Sequence, residues 1–226
     1  MRLLDRPVWN ALTSGWAALA EGDARARRLN RDYGVFGAAA DRSSESLAAL
    51  AALVPPGGEL WTVEKEPWPA PPGTRVDRSA ACVQMVAEAI TPAPQPPFEI
   101  MPLGEGDAAE MFALATLTEP GPYVAHTNRL GAFIGVRQEG RLVAMAGERM
   151  RMPGLAEVSG VCTHPDFRGR GYAGALMRTV AQRMLARGEA PFLHAYATNA
   201  GAIALYESLG FRLDGKVTAS VLVRAE

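Results

Sequence analysis

The densest chemical signal in the chain is the run Arg168-Gly169-Arg170-Gly171-Tyr172-Ala173-Gly174. It follows a strand-like stretch, Leu155 to Cys162, and opens a helix-like one that ends at Arg187. A helix start leaves its first amides unpaired and carries partial positive charge, so an anion fits there. Gly169 and Gly171 let backbone amides approach phosphate oxygens without interference from a Cβ. Arg168 and Arg170 add the charge a pyrophosphate needs.

Three readings compete for this run. Gly169-x-Gly171-x-x-Gly174 matches a dinucleotide fingerprint, but the next strand ends at Thr198-Asn199 without the acid that a ribose requires. A P-loop needs Lys then Ser or Thr after its last glycine, whereas Ala175-Leu176 follow Gly174. A helix start with two helpful glycines is the bland reading, and it leaves the interleaved arginines unexplained.

The surrounding elements follow from periodicity and punctuation. Eight of the 17 prolines fall between Pro67 and Pro97, which reads as extended connector. That places a boundary near Thr91–Pro97, with one α/β unit over residues 1–95 and a second over 96–226. In the first, helices are expected over Pro7–Ala20 and Glu45–Val54, with strands at Tyr33–Ala39, Leu60–Val63 and Ala80–Ala89. The second reads β-α-β-β-β-α-β-α-β-β. Asp107 caps its first helix, a turn falls at Glu139-Gly140, Asn199 caps the last helix, and Phe211–Leu213 and Ala219–Val223 form a closing hairpin. An α/β (α+β) fold with a mixed sheet is expected.

Composition narrows the function classes. With 226 residues and 48% hydrophobic content, a buried core is available along the whole length. Charge is balanced, 23 basic against 24 acidic residues, which argues against a nucleic-acid partner. The cluster Arg25, Arg27, Arg28 and Arg31 reads as the solvated face of a helix. Cys82 and Cys162 suggest neither a disulfide framework nor a zinc site, so no metal is expected. Met1 to Gly22 lacks the apolar run of a signal peptide, and no membrane-length apolar stretch occurs. The expectation is a cytoplasmic protein, monomer or homodimer.

Arg168-x-x-Gly171-x-Ala173 resembles the (Gln/Arg)-x-x-Gly-x-(Gly/Ala) signature of the GNAT superfamily of N-acetyltransferases. The likeness extends upstream to Val161-Cys162-Thr163-His164-Pro165 and downstream to Asn199-x-x-Ala202-x-x-Leu205-Tyr206-x-x-x-Gly210-Phe211. It covers about Phe98 to Val223. Pro120 to Met150 further resembles the glycine N-acyltransferase-like branch, whose members carry an amino-terminal α/β extension. The resemblance implies a mixed central sheet with two splayed strands, acetyl-CoA as cosubstrate, and direct transfer to a primary amine of a small molecule or amino acid. It implies that Val161, Cys162, Thr163, the residues Arg168 to Gly174, Asn199 and Tyr206 hold the cosubstrate. Val161 is the better placed oxyanion donor, and Tyr206 would protonate the departing thiolate.

An alkylamine arrives protonated, so a general base is useful. Glu157, four residues before Val161, matches the offset of the base in the histone acetyltransferase branch; a surface carboxylate is the equal alternative. Glu148 or water alone could serve instead. Cys162 is read as a buried strand residue and His194 as strand packing, while Tyr123 and His126 could line the acceptor pocket. An acyl-CoA sensor without chemistry is the alternative function, in which the first 95 residues would fill the acceptor cleft.

Overall fold

The computed structural model describes residues 2–225. Its centre is an eight-stranded mixed sheet. In chain order the strands are β4 (Leu60–Glu64), β5 (Thr74–Val86), β6 (Met101–Leu103), β7 (Phe133–Gln138), β8 (Arg141–Met152), β9 (Leu155–Thr163), β10 (Ala190–Tyr196) and β11 (Arg212–Arg224). Their order across the sheet is β4-β11-β5-β10-β9-β8-β7-β6. A separate three-stranded sheet joins β1 (Ala20–Gly22), β2 (Ala26–Leu29) and β3 (Gly37–Ala39). The helices are α1 (Pro7–Leu12), α2 (Ser44–Leu53), α3 (Ala108–Thr118), α4 (Tyr172–Ala186) and α5 (Ala200–Leu209).

Alternation along the strands decides which face each side chain meets. Leu193 and Ala195 of β10, with Ala156 and Val158 of β9, pack under Leu176, Val180 and Met184 of α4. On the other face Phe192, Cys82, Met150 and Ala219 pack against Val8, Leu12 and Trp16 from the amino-terminal region. Further along that same chain of packing, Met145, Phe133 and Cys162 meet Met111 and Leu114 of α3.

The sheet does not respect the connector near Thr91–Pro97. β5 lies between β10 and β11, antiparallel to both, and β4 pairs with the far side of β11. Two early strands therefore belong to the sheet that the later residues build, β5 in its interior and β4 at its edge. The same arrangement removes the expected closing hairpin. Arg212–Arg224 runs as one strand, because β5 and β4 supply partners on both sides; the interval expected to turn back holds only a register irregularity between Leu213 and Gly215. Other differences are local. Asp107 does not cap α3 with its side chain; its carboxylate accepts from Gly104 N–H at 2.8 Å and pairs with Arg137. The first helix stops at Leu12 and gives way to a short 3-10 turn at Ala17–Leu19. The arginine cluster lies on and beside β2, not on a helix; Arg25 pairs with Asp23 and Arg28 with Glu21. No helix among the described residues is long and apolar enough to cross a membrane.

Candidate active site

The sheet opens where the site lies. β9 and β10 pair in parallel only from Leu155↔Ala190 to Glu157↔Phe192. Beyond that rung β9 stays with β8 as far as Thr163, and β10 stays with β5 as far as Tyr196. The two strands part, leaving a wedge between them. On β9 a bulge forms inside the wedge. The rungs Met145↔Cys162 and Gly147↔Ser159 leave Gly160 and Val161 opposite a single residue of β8. Gly160 sits at φ 61°, and a Cβ there would press to 2.8 Å from the Phe133 ring. The bulge therefore requires glycine, and it is what turns Val161 out of the ladder.

β9 leads into the phosphate turn. A short 3-10 turn, Pro165–Phe167, precedes Arg168, and α4 starts after Gly171, whose φ of 80° no other residue adopts without cost. The first helical hydrogen bond of this region runs from Ala175 N–H to Gly171 O at 3.1 Å. The amides of Tyr172, Ala173 and Gly174 thus precede the helical ladder and face an open groove of about 670 Å³. Arg168 and Arg170 stand exposed beside it, and Arg170 lies over the Phe167 ring at 4.9 Å. Tyr172 is buried below, edge-on to Phe98 at 4.7 Å. Thr163 Oγ1, on a residue of the groove wall, is buried without a protein partner. A chain of phosphates and amides fits such a donor set: unpaired N–H groups, two guanidinium groups and one orphaned hydroxyl.

A second cavity, about 350 Å³, adjoins the groove on the face opposite α4. Phe36, Trp61 and Val63 wall it on one side, and Glu119, Pro120 and Pro122 on the other. Thr118, Val161, Ala173, Asn199, Ala202 and Leu205 line both spaces, so groove and cavity are continuous through the wedge. Tyr206 also lines the cavity. Burial pushes its phenol pKa up, and its hydroxyl has no protein partner among the described residues. Asn199 caps α5, accepting from Ala202 N–H at 3.1 Å.

Arg149 and His194 of the cavity lining are the accessible ends of a polar network beneath it, the floor, that sequence reasoning did not foresee. Glu157 is 1% exposed. Its carboxylate accepts from Arg149 Nε and Nη2, both at 2.8 Å, from His194 Nδ1 at 2.8 Å and from Met150 N–H at 3.3 Å. Gln84 Nε2 donates to Leu4 O at 2.8 Å and stands 3.1 Å from His194 Nε2. Those contacts assign a ring proton of His194 to Nδ1 and make Nε2 an acceptor. Burial would raise the carboxyl of Glu157, but Arg149 and then His194 outweigh it and hold the group below its usual range. A second bulge makes the contact: Arg149 and Met150 on β8 stand opposite Glu157 alone.

Glu157 is therefore not a surface carboxylate, and all its bonding capacity is in use. Glu148 is buried on the other face, bonded to Arg187 at 2.9 Å, and does not reach the cavity. Among the described residues, Glu119 is the one carboxylate that lines the cavity and forms no ion pair. Cys162 is buried toward α3, and burial pushes its thiol up to about 11. Tyr123 stands edge-on to Phe133 at 6.1 Å and His126 beside Tyr33 at 5.9 Å; neither lines the cavity, whose wall here is the preceding Glu119–Pro122. No cluster of three or more metal-ligating side chains occurs among the described residues.

The helix start and the wedge together let one elongated ligand be held at an anionic end in the groove while its other end enters the cavity. Comparison bears on this directly. Residues 133–221 match the model of FR47-like proteins. A solved structure from Novosphingobium aromaticivorans, assigned to the acetyltransferases of the GNAT family, is 51% identical over 100% of both chains, with a TM-score of 0.94. The chain belongs to the GNAT family, whose acetyltransferases use acetyl-CoA as cosubstrate. A GCN5-related N-acetyltransferase from Kribbella flavida shares the fold at 17% identity, covering 100% of this chain and 97% of its own, with a TM-score of 0.69. One from Sphaerobacter thermophilus shares it at 19% identity over 89% and 78%, with a TM-score of 0.54. No curated protein matches the chain.

Proposed function

We propose that this protein transfers an acetyl group from acetyl-CoA to the primary amine of a small molecule, directly, within one ternary complex. The observation that carries the reading is the continuity of phosphate groove and cavity through the wedge at Val161. One cosubstrate can be gripped at its diphosphate and present its thioester to a separate pocket. The sensor alternative requires a filled cleft, whereas Phe36 and Trp61 wall an open one.

The roles follow from chemistry. The amides of Tyr172, Ala173 and Gly174, with Arg168 and Arg170, hold the diphosphate. Main-chain groups at Val161 to Thr163 align the pantetheine arm, and the Val161 amide stabilises the oxyanion. Asn199 borders the same arm. Tyr206, whose raised pKa keeps it protonated, delivers a proton to the departing thiolate. The ammonium loses one proton to water at the cavity entrance, where Glu119 offers a free carboxylate; the second, released from nitrogen as the amide forms, restores the Tyr206 phenol through solvent. Glu157 acts instead by fixing Arg149 and His194. The likeness of Pro120–Met150 to the glycine N-acyltransferase-like branch points to an amino acid or a related amine as acceptor. Two free, buried cysteines suit a reducing cytoplasmic setting.

The test is thiol release from acetyl-CoA against an amine panel, beside calorimetry with CoA. Binding and amine-dependent release are expected. CoA binding without release on any amine would favour the sensor, and no association with CoA would end the proposal.

A further inference from the structure

The cavity contains one cation with spare donors, and it sits in a place where stability does not call for it. Arg149 uses Nε and Nη2 on Glu157 and lies with its guanidinium 4.9 Å from the Phe36 ring centroid. Its third nitrogen, Nη1, has no acceptor among the described residues, is not among the sealed unsatisfied atoms, and belongs to a residue that lines the cavity. The guanidinium is thus clamped at one edge and on one face, with the remaining edge turned to the space an acceptor would occupy. A buried ion pair of this kind is often replaceable by apolar side chains without loss of stability. Its presence under a reactive cavity calls for another reason.

The rest of the wall on that side is apolar: Phe36, Trp61, Val63, Met150 and Ala219. Most of these come from the first half of the chain. They offer nothing to a polyamine or a sugar amine and suit a hydrocarbon or aromatic body. An amine acceptor carries its own positive charge and would be repelled by Arg149 unless it also carried an anion.

We propose that Arg149 is a specificity-determining residue that binds the carboxylate of the acceptor, and that the acceptor is an amino acid with a large apolar side chain. This rests on the acetyl-transfer reading of the same site. Nη1 and the second N–H of Nη2 supply the two parallel donors that a carboxylate matches. Because Glu157 already shares the guanidinium charge, the site suits a monoanion better than a dianionic phosphate. Phe36 and Trp61 then hold the side chain, and the amine is left to face the wedge. Small acceptors such as glycine forfeit that apolar contact.

The experiment is steady-state thiol release by the full chain at saturating acetyl-CoA, with phenylalanine, phenylalaninamide, the phosphonate analogue of phenylalanine, and glycine. The amide has the less basic amine, so more of it is neutral near pH 7 and intrinsic reactivity favours it. The proposal predicts the reverse: kcat/KM for phenylalanine exceeds that for its amide, its phosphonate and glycine by about tenfold or more. In Arg149→Lys, which keeps a charge on Glu157 but loses the planar donor edge, the acid-to-amide ratio collapses toward one through the KM of the acid. The pair variant Arg149→Gln/Glu157→Gln, which leaves no lone buried charge, shows the same collapse. An amide or phosphonate that serves as well as phenylalanine overturns the carboxylate claim, as does a ratio unchanged in both variants; glycine serving as well overturns the claim of a large apolar side chain. No thiol release with any of the four, while another amine of the panel does release thiol, overturns this proposal alone; no release with any amine overturns the acetyl-transfer reading together with it.

Discussion

The phosphate turn and the cavity floor lie on either side of the wedge and are built on opposite principles. The turn is seven consecutive residues, exposed from Arg168 to Gly171, and its donors are mainly backbone amides not used by the helix. The floor is four side chains from four neighbouring strands: Gln84 on β5, Arg149 on β8, Glu157 on β9 and His194 on β10. It is nearly dry, and each of its groups is tied to the next. A site made of main chain grips any ligand of the right charge and asks only that the chain can bend. A site made of side chains depends on every partner being present. On the proposed function, anchoring falls to the first and choice of acceptor to the second.

Substitutions should separate the two. The largest effect is expected at the floor. Arg149→Met leaves the Glu157 carboxylate buried without its cation and should lower unfolding free energy by about 3–5 kcal/mol in a urea titration. Arg149→Met/Glu157→Leu should recover most of it. A single mutant as stable as wild type would mean the floor is not the closed network described here. At the wedge, Tyr206→Phe should cut kcat about 100-fold, the lower range for a positioned proton donor. The CoA-induced rise in melting temperature should survive, and an unchanged kcat would remove Tyr206 from the chemistry.

At the turn the expected change is smaller and of another kind. Gly171→Ala forces a Cβ into the left-handed region at about 1–2 kcal/mol; the free turn relaxes to relieve that strain and must regain it to align its amides on the phosphates, so CoA should bind roughly tenfold more weakly by calorimetry while acceptor preference stays unaltered. A shift in acceptor preference would break the division of labour. The mildest probe is pH. Glu157 is held below its unfolded pKa of about 4.3, so the stability it contributes is complete above that value and is lost as pH falls beneath it. Urea midpoints should be flat for this group from pH 7 to 5. Below pH ~4 they should fall more steeply in wild type than in Arg149→Met/Glu157→Leu. Parallel curves for the two proteins would remove Glu157 from the acid response.

This contrast also explains what could be read from the letters. The turn, the cap at Asn199 and the bends at Gly171 and Glu139-Gly140 depend on neighbours a few residues away, and contiguous sequence records them. Glu157 could be singled out by its distance from Val161, but its partners could not. Arg149 reaches it through a bulge, and His194 through a strand pairing that spans more than thirty positions. No spacing rule encodes either. The aromatic wall was hidden for the same reason: Phe36 and Trp61 meet the cavity only because β4 joins β11, at the far end of the chain. A faint signal existed in the alternation Cys82, Gln84, Val86, where a polar residue interrupts the apolar second half of β5.

The insertion of β5 between β10 and β11 has a consequence for how the molecule is made. β5 leaves the ribosome with neither flanking strand yet synthesised, and the nearer of them follows roughly 100 residues later, about 5–20 s at ordinary elongation rates. Throughout that interval a thirteen-residue strand offers two open edges. Its first half is punctuated by Arg75, Asp77 and Arg78, charges that discourage other chains from pairing there while the nascent polypeptide waits for its own carboxy terminus.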